Sequence, residues 1–187
     1  MGVNSKAGRI GMVARWRPVH LGQAAVLHAL CERAEQALIG VGSANRYNLR
    51  NPFTAEETMD MIRLALDGRD NYTLIPVPDL DDGPRWRKMI LELFGHLDLF
   101  VTENPYVTNL LENDYKVIRP VSLVADEDKV PINGTMVRRA MAEGDGWQEM
   151  VPTAVAQYLI QNQLDQRFRR EFGLQTLAMS VIIGSEQ

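Results

Sequence analysis

The sequence predicts an α/β fold: a parallel sheet of about five strands with helices on its faces. Short apolar runs alternate along the chain with amphipathic stretches of roughly ten to fifteen residues. The joints between them carry Gly, Pro or Asn, residues that interrupt regular structure. The composition is that of an ordinary globular chain, with 45% hydrophobic and 24% charged residues in 187. That excludes a disordered chain, a collagen and a disulfide scaffold. Strands joined by helices in this rhythm form right-handed βαβ units, so the strands run parallel. Such sheets bind ligands beyond the carboxyl ends of their strands, in the loops that follow them.

The first strand is expected over Arg9–Ala14. A helix follows from about Gly22 to Ala37, with Leu27, Leu30, Cys31, Ala34 and Leu38 on one stripe at helical spacing. Leu38–Gly42 is the second strand. Thr54-Ala55-Glu56-Glu57 is a capping box, in which Thr accepts from the third helical amide and Glu reaches back to the Thr amide. The helix it opens ends near Asp67-Gly68. Tyr72–Val77 is the third strand, and a helix from about Trp86 to Phe94 stops at Gly95. Leu97–Val101 is the fourth strand, followed by a short helix over Tyr106–Glu112. Tyr115–Ile118 is the fifth strand. Two more helices lie near Gly134–Glu143 and Pro152–Gln163. One domain thus covers residues 1–163. Residues 164–187 are charged at Arg167–Glu171 and apolar from Leu174 to Ile183, and are read as a tail and candidate oligomer contact.

Lys and Arg number 20 against 24 Asp and Glu, a net charge of −4. With a pI near 5.4, the chain lacks the basic field of a general nucleic-acid binder. The single cysteine, Cys31, excludes an intramolecular disulfide and a Cys-rich zinc site, and fits a reducing compartment. Met1–Lys6 has no apolar signal core, and Lys6 breaks the myristoylation pattern. The uncharged stretch Gly173–Ser185 is too short and too polar to span a bilayer. A cytoplasmic protein is expected, with neither nucleic acid nor membrane as a partner.

Two loops carry chemistry. After the first strand, Arg15-Trp16-Arg17-Pro18-Val19-His20-Leu21-Gly22-Gln23 sets two Arg and a His beside a helix start. The first amides of a helix carry partial positive charge, and Gly lets a ligand approach the backbone. Taken alone, two solvated Arg and a turn His explain this loop equally well. After the fifth strand, Asn133 or Thr135 can cap a helix that places Arg138 and Arg139 in its early turns. The dipole there disfavours cations, and a bound anion would offset the conflict. Arg residues beside a helix start at two strand ends form the strongest signal in the chain. Other features are weaker. Gly40-Val41-Gly42 has Asn45 where the dinucleotide fingerprint needs Gly or Ala, and no phosphate-binding Gly-x-x-x-x-Gly-Lys-Ser/Thr exists. His20, His28 and His96 are too scattered to argue a metal site. Trp86 suits either core packing or ring stacking.

His20-Leu21-Gly22-Gln23 and Asn133-Gly134-Thr135-x-x-Arg138 resemble the His-x-Gly-His and Ser-Gly-Thr-x-x-Arg signatures of the nucleotidylyltransferase superfamily. Gly42-Ser43-Ala44-Asn45, Asn51-Pro52-Phe53-Thr54-Ala55, Asn104-Pro105 and Trp147–Val155 narrow the likeness to archaeal-type nicotinamide-nucleotide adenylyltransferases, over residues 9–163. The resemblance implies the Rossmann-like sheet of the HIGH-type nucleotidyltransferase fold. It also implies a reaction in which ATP and nicotinamide mononucleotide give NAD and pyrophosphate, with Mg²⁺ carried by the ATP phosphates. No covalent intermediate is implied, so the protein's part is positioning and charge stabilisation. By the same resemblance His20 contacts the phosphates and, with Gln23 and Arg138, forms the catalytic set. Arg15, Arg17, Gly22, Asn133, Gly134, Thr135 and Arg138 hold ATP. Arg50 holds the acceptor phosphate, Asp79 lines the acceptor pocket and Trp86 stacks on the nicotinamide ring. A homo-oligomer is implied as well.

The chain departs from the pattern in several places. The second His of the first signature is Gln23, which can donate a hydrogen bond but cannot become a cation. Arg17 is extra charge near the phosphates. Asn133 replaces the Ser of the second signature, and Gly83 stands where the family often has Asn. The loop Arg46–Arg50 is slightly shorter than usual. Two alternatives therefore stay open: the same chemistry on another phosphorylated acceptor, and a non-catalytic nucleotide-binding protein.

Overall fold

The apolar runs become five parallel strands: β1 (Ala7–Ala14), β2 (Ala34–Gly42), β3 (Tyr72–Val77), β4 (Leu99–Val101) and β5 (Val117–Ile118). Their order across the sheet is β3-β2-β1-β4-β5, so the topology switches between β1 and β4. The helices are α1 (Leu21–Arg33), α2 (Ala55–Ala65), α3 (Gly83–Phe94), α4 (Pro105–Leu111), α5 (Gly134–Glu143), α6 (Thr153–Gln161), α7 (Leu164–Phe168) and α8 (Leu174–Gly184). The predicted parallel sheet flanked by helices is the observed one. This structure, a computed structural model, describes residues Lys6–Gly184. Met1–Ser5 and the tail residues 185–187 lie outside the described residues, as do the expectations that fall on them. Among the described residues, no helix is long and apolar enough to cross a membrane.

The chain divides into two compact units. The first holds residues up to Arg15, Ala25–Asn45 and Gly68–Lys129, and contains the whole sheet. Its core joins Leu38 and Val77 of the strands to Ile90 and Phe94 of α3, with Leu97, Phe100, Leu111 and Tyr115. Phe100 and Tyr115 stack with centroids 5.8 Å apart. Phe94 reaches the sheet because the strands have no side chain beneath it. A β-carbon on Gly11 would meet Phe94 Cδ1 at 3.0 Å, and one on Gly40 would meet Phe94 Cζ at 3.0 Å. α3 starts on Asp82, whose carboxylate accepts from the Arg85 amide, and stops at Gly95 with φ 59°.

One sequence expectation is corrected here. The first helix does not run to Ala37. It stops at Arg33, and Ala34–Ala37 opens β2, pairing Ala34 with Ala7 and Ala37 with Ile10. Ala, Glu and Gln favour helix locally, but the ladder with β1 overrides that preference. Asn71 fixes the switch point: its Nδ2 donates to the carbonyls of Cys31, at 2.8 Å, and Ala34, at 3.0 Å.

The second unit holds Trp16–Ala24, Arg46–Asp67 and the chain from Val130 onward. The capping box forms as expected at α2: Thr54 Oγ1 accepts from the Glu57 amide, and Glu57 Oε2 accepts from the Thr54 amide. Such a cap is worth about 1 kcal/mol. Met61 and Ile62 of α2, Val137 and Met141 of α5, and Val155 and Leu159 of α6 are buried. Tyr158 of α6 donates to Asp60 of α2 at 3.2 Å. α7 runs through one π-helical turn, Arg169–Gly173, into α8. Phe53 stacks on Phe168 with centroids 6.3 Å apart.

Gly40→Ala tests the close approach of α3. The new methyl would meet Val13 Cγ2 at 2.7 Å as well as Phe94. It should destabilise the protein by about 1–3 kcal/mol, read as a lower urea midpoint at unchanged m-value. An unchanged midpoint would show that Phe94 moves aside freely.

Candidate active site

Two helix starts in the second unit come together because Gly22 has no side chain. A β-carbon on Gly22 would lie 2.9 Å from the Ile132 carbonyl oxygen and 3.0 Å from that of Val130. The loop before α5 therefore packs on the first turn of α1. The sequence points to Gly22 for ligand approach; in the structure the carbonyls of Val130 and Ile132 face it on the side where a side chain would stand.

His20 caps α1. The amide of Gln23 donates to His20 Nδ1 at 3.3 Å, and Gln23 Oε1 accepts from the His20 amide at 3.5 Å. This is a capping box with an imidazole in place of a hydroxyl and Gln at the third position. It makes Nδ1 an acceptor, so the neutral ring carries its proton on Nε2. His20 is 8% exposed. Burial, then the Arg138 cation, lowers its pKa from 6.5 to about 4. At neutral pH it is a neutral donor.

Arg138 is the cation of this site. Its side chain folds back towards the start of α5, as helical side chains do. Nη1 donates to the Arg17 carbonyl at 3.1 Å and Nη2 to Thr135 Oγ1 at 3.3 Å. A β-carbon on Gly134 would meet Nη1 at 2.9 Å, so Gly134 gives the guanidinium its place. Asn133 caps α5 by accepting from the Thr135 and Met136 amides, both at 3.0 Å. Arg139, equally prominent in the sequence, turns away to Glu143 at 2.9 Å. Arg17 is 2% exposed, and its Nε donates to Thr58 Oγ1 of α2 at 3.2 Å. Trp16 before it is fully buried with φ 56°, a left-handed conformation that costs a non-glycine residue about 1–2 kcal/mol. The chain leaves β1 through that turn.

The second unit also holds Arg50, exposed at the tip of a tight turn. Asn48 and Asn51 pair across it, and Asn48 Oδ1 accepts from the amides of Arg50, at 3.0 Å, and Asn51, at 3.1 Å. Arg15, Asp79 and Trp86 belong to the first unit. Arg15 is exposed just after β1. Asp79 is held on both sides of its backbone by Asn45: its amide donates to Asn45 Oδ1 at 2.8 Å, and its carbonyl accepts from Asn45 Nδ2 at 3.0 Å. Trp86 is half-buried and packs against the core cluster. Gly83, one turn before it, lies against Tyr106: a β-carbon there would meet the hydroxyl at 2.2 Å. Among the described residues, no group of three or more His, Cys, Asp and Glu is arranged to hold a metal ion.

Chemically, the second-unit cluster offers a neutral imidazole N–H, a guanidinium, a hydroxyl and two positive helix ends. That set suits a polyanion whose charge shifts during reaction.

Two predictions follow from this geometry. Gly22→Ala forces a methyl against two backbone carbonyls and should cost about 1–3 kcal/mol; stability equal to the parent would mean the helix starts are not tightly docked. The second concerns acid. The unfolded chain takes up the His20 proton near 6.5 and the folded chain near 4. Stability is therefore undiminished by this group above about 6.5 and falls as pH drops towards 4, by about 3 kcal/mol in all. An NMR titration of the His20 ring should give a midpoint near 4, and one at 6.5 would place the ring in water.

The cytidylyltransferase-like family matches residues 14–140. The nicotinamide-nucleotide adenylyltransferase of Thermococcus kodakarensis is 33% identical over 153 residues, 79% of each chain. That of Pyrococcus furiosus is 32% identical over 164 residues, 84% of this chain and 85% of the other. Among solved structures, the bifunctional NMN adenylyltransferase/ADP ribose pyrophosphatase of Francisella tularensis, complexed with AMP and a Mn ion, superposes with a TM-score of 0.69 at 16% identity. The match takes in 97% of this chain but only 57% of that longer one, and speaks for the fold alone. With its helix starts, His20 and Arg138 in place, the chain belongs to the cytidylyltransferase-like family and, within it, to the nicotinamide-nucleotide adenylyltransferases.

Proposed function

We propose that this chain makes NAD by transferring the adenylyl group of ATP to nicotinamide mononucleotide. A phosphate oxygen of the mononucleotide attacks the α-phosphorus of ATP. The new P–O bond forms as the bond from the α-phosphorus to the α,β-bridging oxygen breaks, and pyrophosphate leaves with that electron pair. The observation that carries this reading is the docking of two helix starts on Gly22, with neutral His20 and cationic Arg138 between them.

His20 donates from Nε2 to a phosphate oxygen, and the donation strengthens as negative charge builds on the leaving pyrophosphate. Arg138 binds the triphosphate with Thr135 and the helix ends at Gly22 and Gly134. Arg17 supports Arg138 through its carbonyl, and Asn133 shapes the start of α5. Gln23 acts through His20: its main-chain amide fixes the tautomer, and its side chain closes the cap on the His20 amide. Arg15 adds a cation for the triphosphate. ATP enters as its Mg²⁺ complex, the metal being part of the substrate. On the acceptor side, Arg50 binds the mononucleotide phosphate, Trp86 offers its ring to the nicotinamide, and Asp79 lines the acceptor pocket. Tyr106, filling the space over Gly83, supplies the polar group that Asn gives elsewhere in the family. A cytoplasmic homo-oligomer belongs to the same reading, and sedimentation velocity would report the assembly.

The test is a steady-state assay with ATP and Mg²⁺, offering nicotinamide and nicotinate mononucleotide separately and following dinucleotide and pyrophosphate together. NAD should form in step with pyrophosphate. His20→Ala should lower kcat by about 10²–10³-fold, and turnover surviving that change removes His20 from the mechanism. Gln23→His is expected to leave kcat within about tenfold of the parent, since the main-chain amide at position 23 that orients the His20 ring is kept. A larger gain would show that a second cation was missing. ATP binding with neither product formed would favour another acceptor or a non-catalytic role.

A further inference from the structure

The segment after α6 lies beyond the family match to residues 14–140, yet it grips the turn that carries Arg50. Four of its residues do so, all within the second unit. Arg167 donates to both carboxylate oxygens of Glu57, at 2.6 and 2.7 Å, and to the Pro52 carbonyl at 3.4 Å. Phe168 stacks on Phe53. Glu171 accepts from the Tyr47 hydroxyl at 2.5 Å, and Phe172 meets the Tyr47 ring edge-on at 5.5 Å. The Arg167 guanidinium lies 5.6 Å from the centroid of the same ring.

These contacts fall on both flanks of the turn. Tyr47 precedes it, and Pro52, Phe53 and Glu57 follow it. Arg167 and Glu171, and likewise Phe168 and Phe172, stand four residues apart and so share one helical face, and a π turn over Arg169–Gly173 lies among them. Extra residues of this kind are frequent at functional sites. The turn's own bonds are incomplete: Asn51 is 4% exposed, and its Oδ1 is buried without a hydrogen-bond partner. Burial and the Glu171 hydrogen bond push the Tyr47 pKa up to about 12, so its hydroxyl stays a donor throughout the working range.

We propose that this C-terminal segment is a latch that positions Arg50 for the acceptor phosphate, with Tyr47, Arg167 and Glu171 as its positioning residues. The proposal rests on the functional reading above, in which Arg50 binds the mononucleotide. Glu57 links the two roles, since one carboxylate closes the α2 capping box and receives Arg167. The latch therefore ties the start of α2 and the turn before it to a single helical face.

The test uses the full chain with Tyr47→Phe, Glu171→Gln and Arg167→Met. Tyr47→Phe removes the Tyr47–Glu171 hydrogen bond, Glu171→Gln weakens the same bond by taking away the acceptor's charge, and both leave the fold intact; the third breaks the ion pair and is retained only if its melting curve is cooperative. Each should raise the mononucleotide KM about tenfold to a hundredfold, with the ATP KM within about twofold of the parent. Combining Tyr47→Phe with Arg50→Ala should add nothing to the effect of Arg50→Ala alone, because the latch acts through that side chain. Hydrogen exchange supplies a readout free of turnover: the Arg50 and Asn51 amides should exchange faster in Tyr47→Phe and Glu171→Gln. Unchanged exchange, or an unchanged mononucleotide KM beside a raised one in Arg50→Ala, overturns the latch and leaves the functional reading standing. A parent enzyme that makes no dinucleotide, or an Arg50→Ala variant with the parent KM, overturns that reading and with it the acceptor role of the latch.

Discussion

The carbonyl oxygens of Ile132 and Val130 lie 2.9 and 3.0 Å from where a β-carbon on Gly22 would be. That close approach sets the rest of the site. It brings the start of α5 to the start of α1, and each start adds about half a positive charge from its aligned peptides. His20 sits at one start and Arg138 folds back over the other. His20 is buried there, and Arg138 adds to the desolvation that keeps its ring neutral. The uncharged imidazole is thus a product of packing. Its second nitrogen is already occupied by the Gln23 amide, so only Nε2–H remains to meet a ligand.

Gln23 takes on a different meaning in this setting. In the sequence it stands where a second potential cation is expected. In the structure its carboxamide oxygen turns back to the His20 amide and closes the cap. A neutral side chain suits that place, because a cation at the third position of a helix works against the dipole. Arg17, extra charge near the phosphates in the sequence, has its Nε on Thr58 and contributes its carbonyl to Arg138, so its cation is buried beside that of Arg138.

Much of this was legible beforehand. β3 and α5 have the boundaries the sequence assigned, because both are bracketed by strong stops: Gly68 and Pro78 around Tyr72–Val77, Asn133 and Gly144 around Gly134–Glu143. The Thr54 capping box was equally plain, being a local pattern that needs no partner from elsewhere. The end of α1 was not. Ala34–Ala37 reads as helix, and only the β1 ladder and the Asn71 carboxamide, both distant in sequence, make it strand. The motif residues of the candidate site were legible as types at a spacing. Their division of labour was not, since Arg138 and Arg139 are neighbours in sequence and only the helix phase decides which one returns to Thr135. The gripping face of residues 167–172 was hidden for a related reason: its charged residues read as a solvated helical face, and only the distant Glu57 and Tyr47 show that it is docked.

The ligand-free site is held against its own electrostatics. Arg138 lies near a positive helix end, a placement that costs about 0.3–1 kcal/mol at an exposed terminus. His20 gives up its charge across the acid range, and Trp16 carries a left-handed backbone. None of these features stabilises the fold alone. The first two would be offset by a bound polyanion, which relieves the dipole conflict and raises the imidazole pKa towards its ordinary value. The surrounding helices, capped at Thr54 and Asn133 and packed on Met61, Val137 and Val155, supply the stability the site gives up.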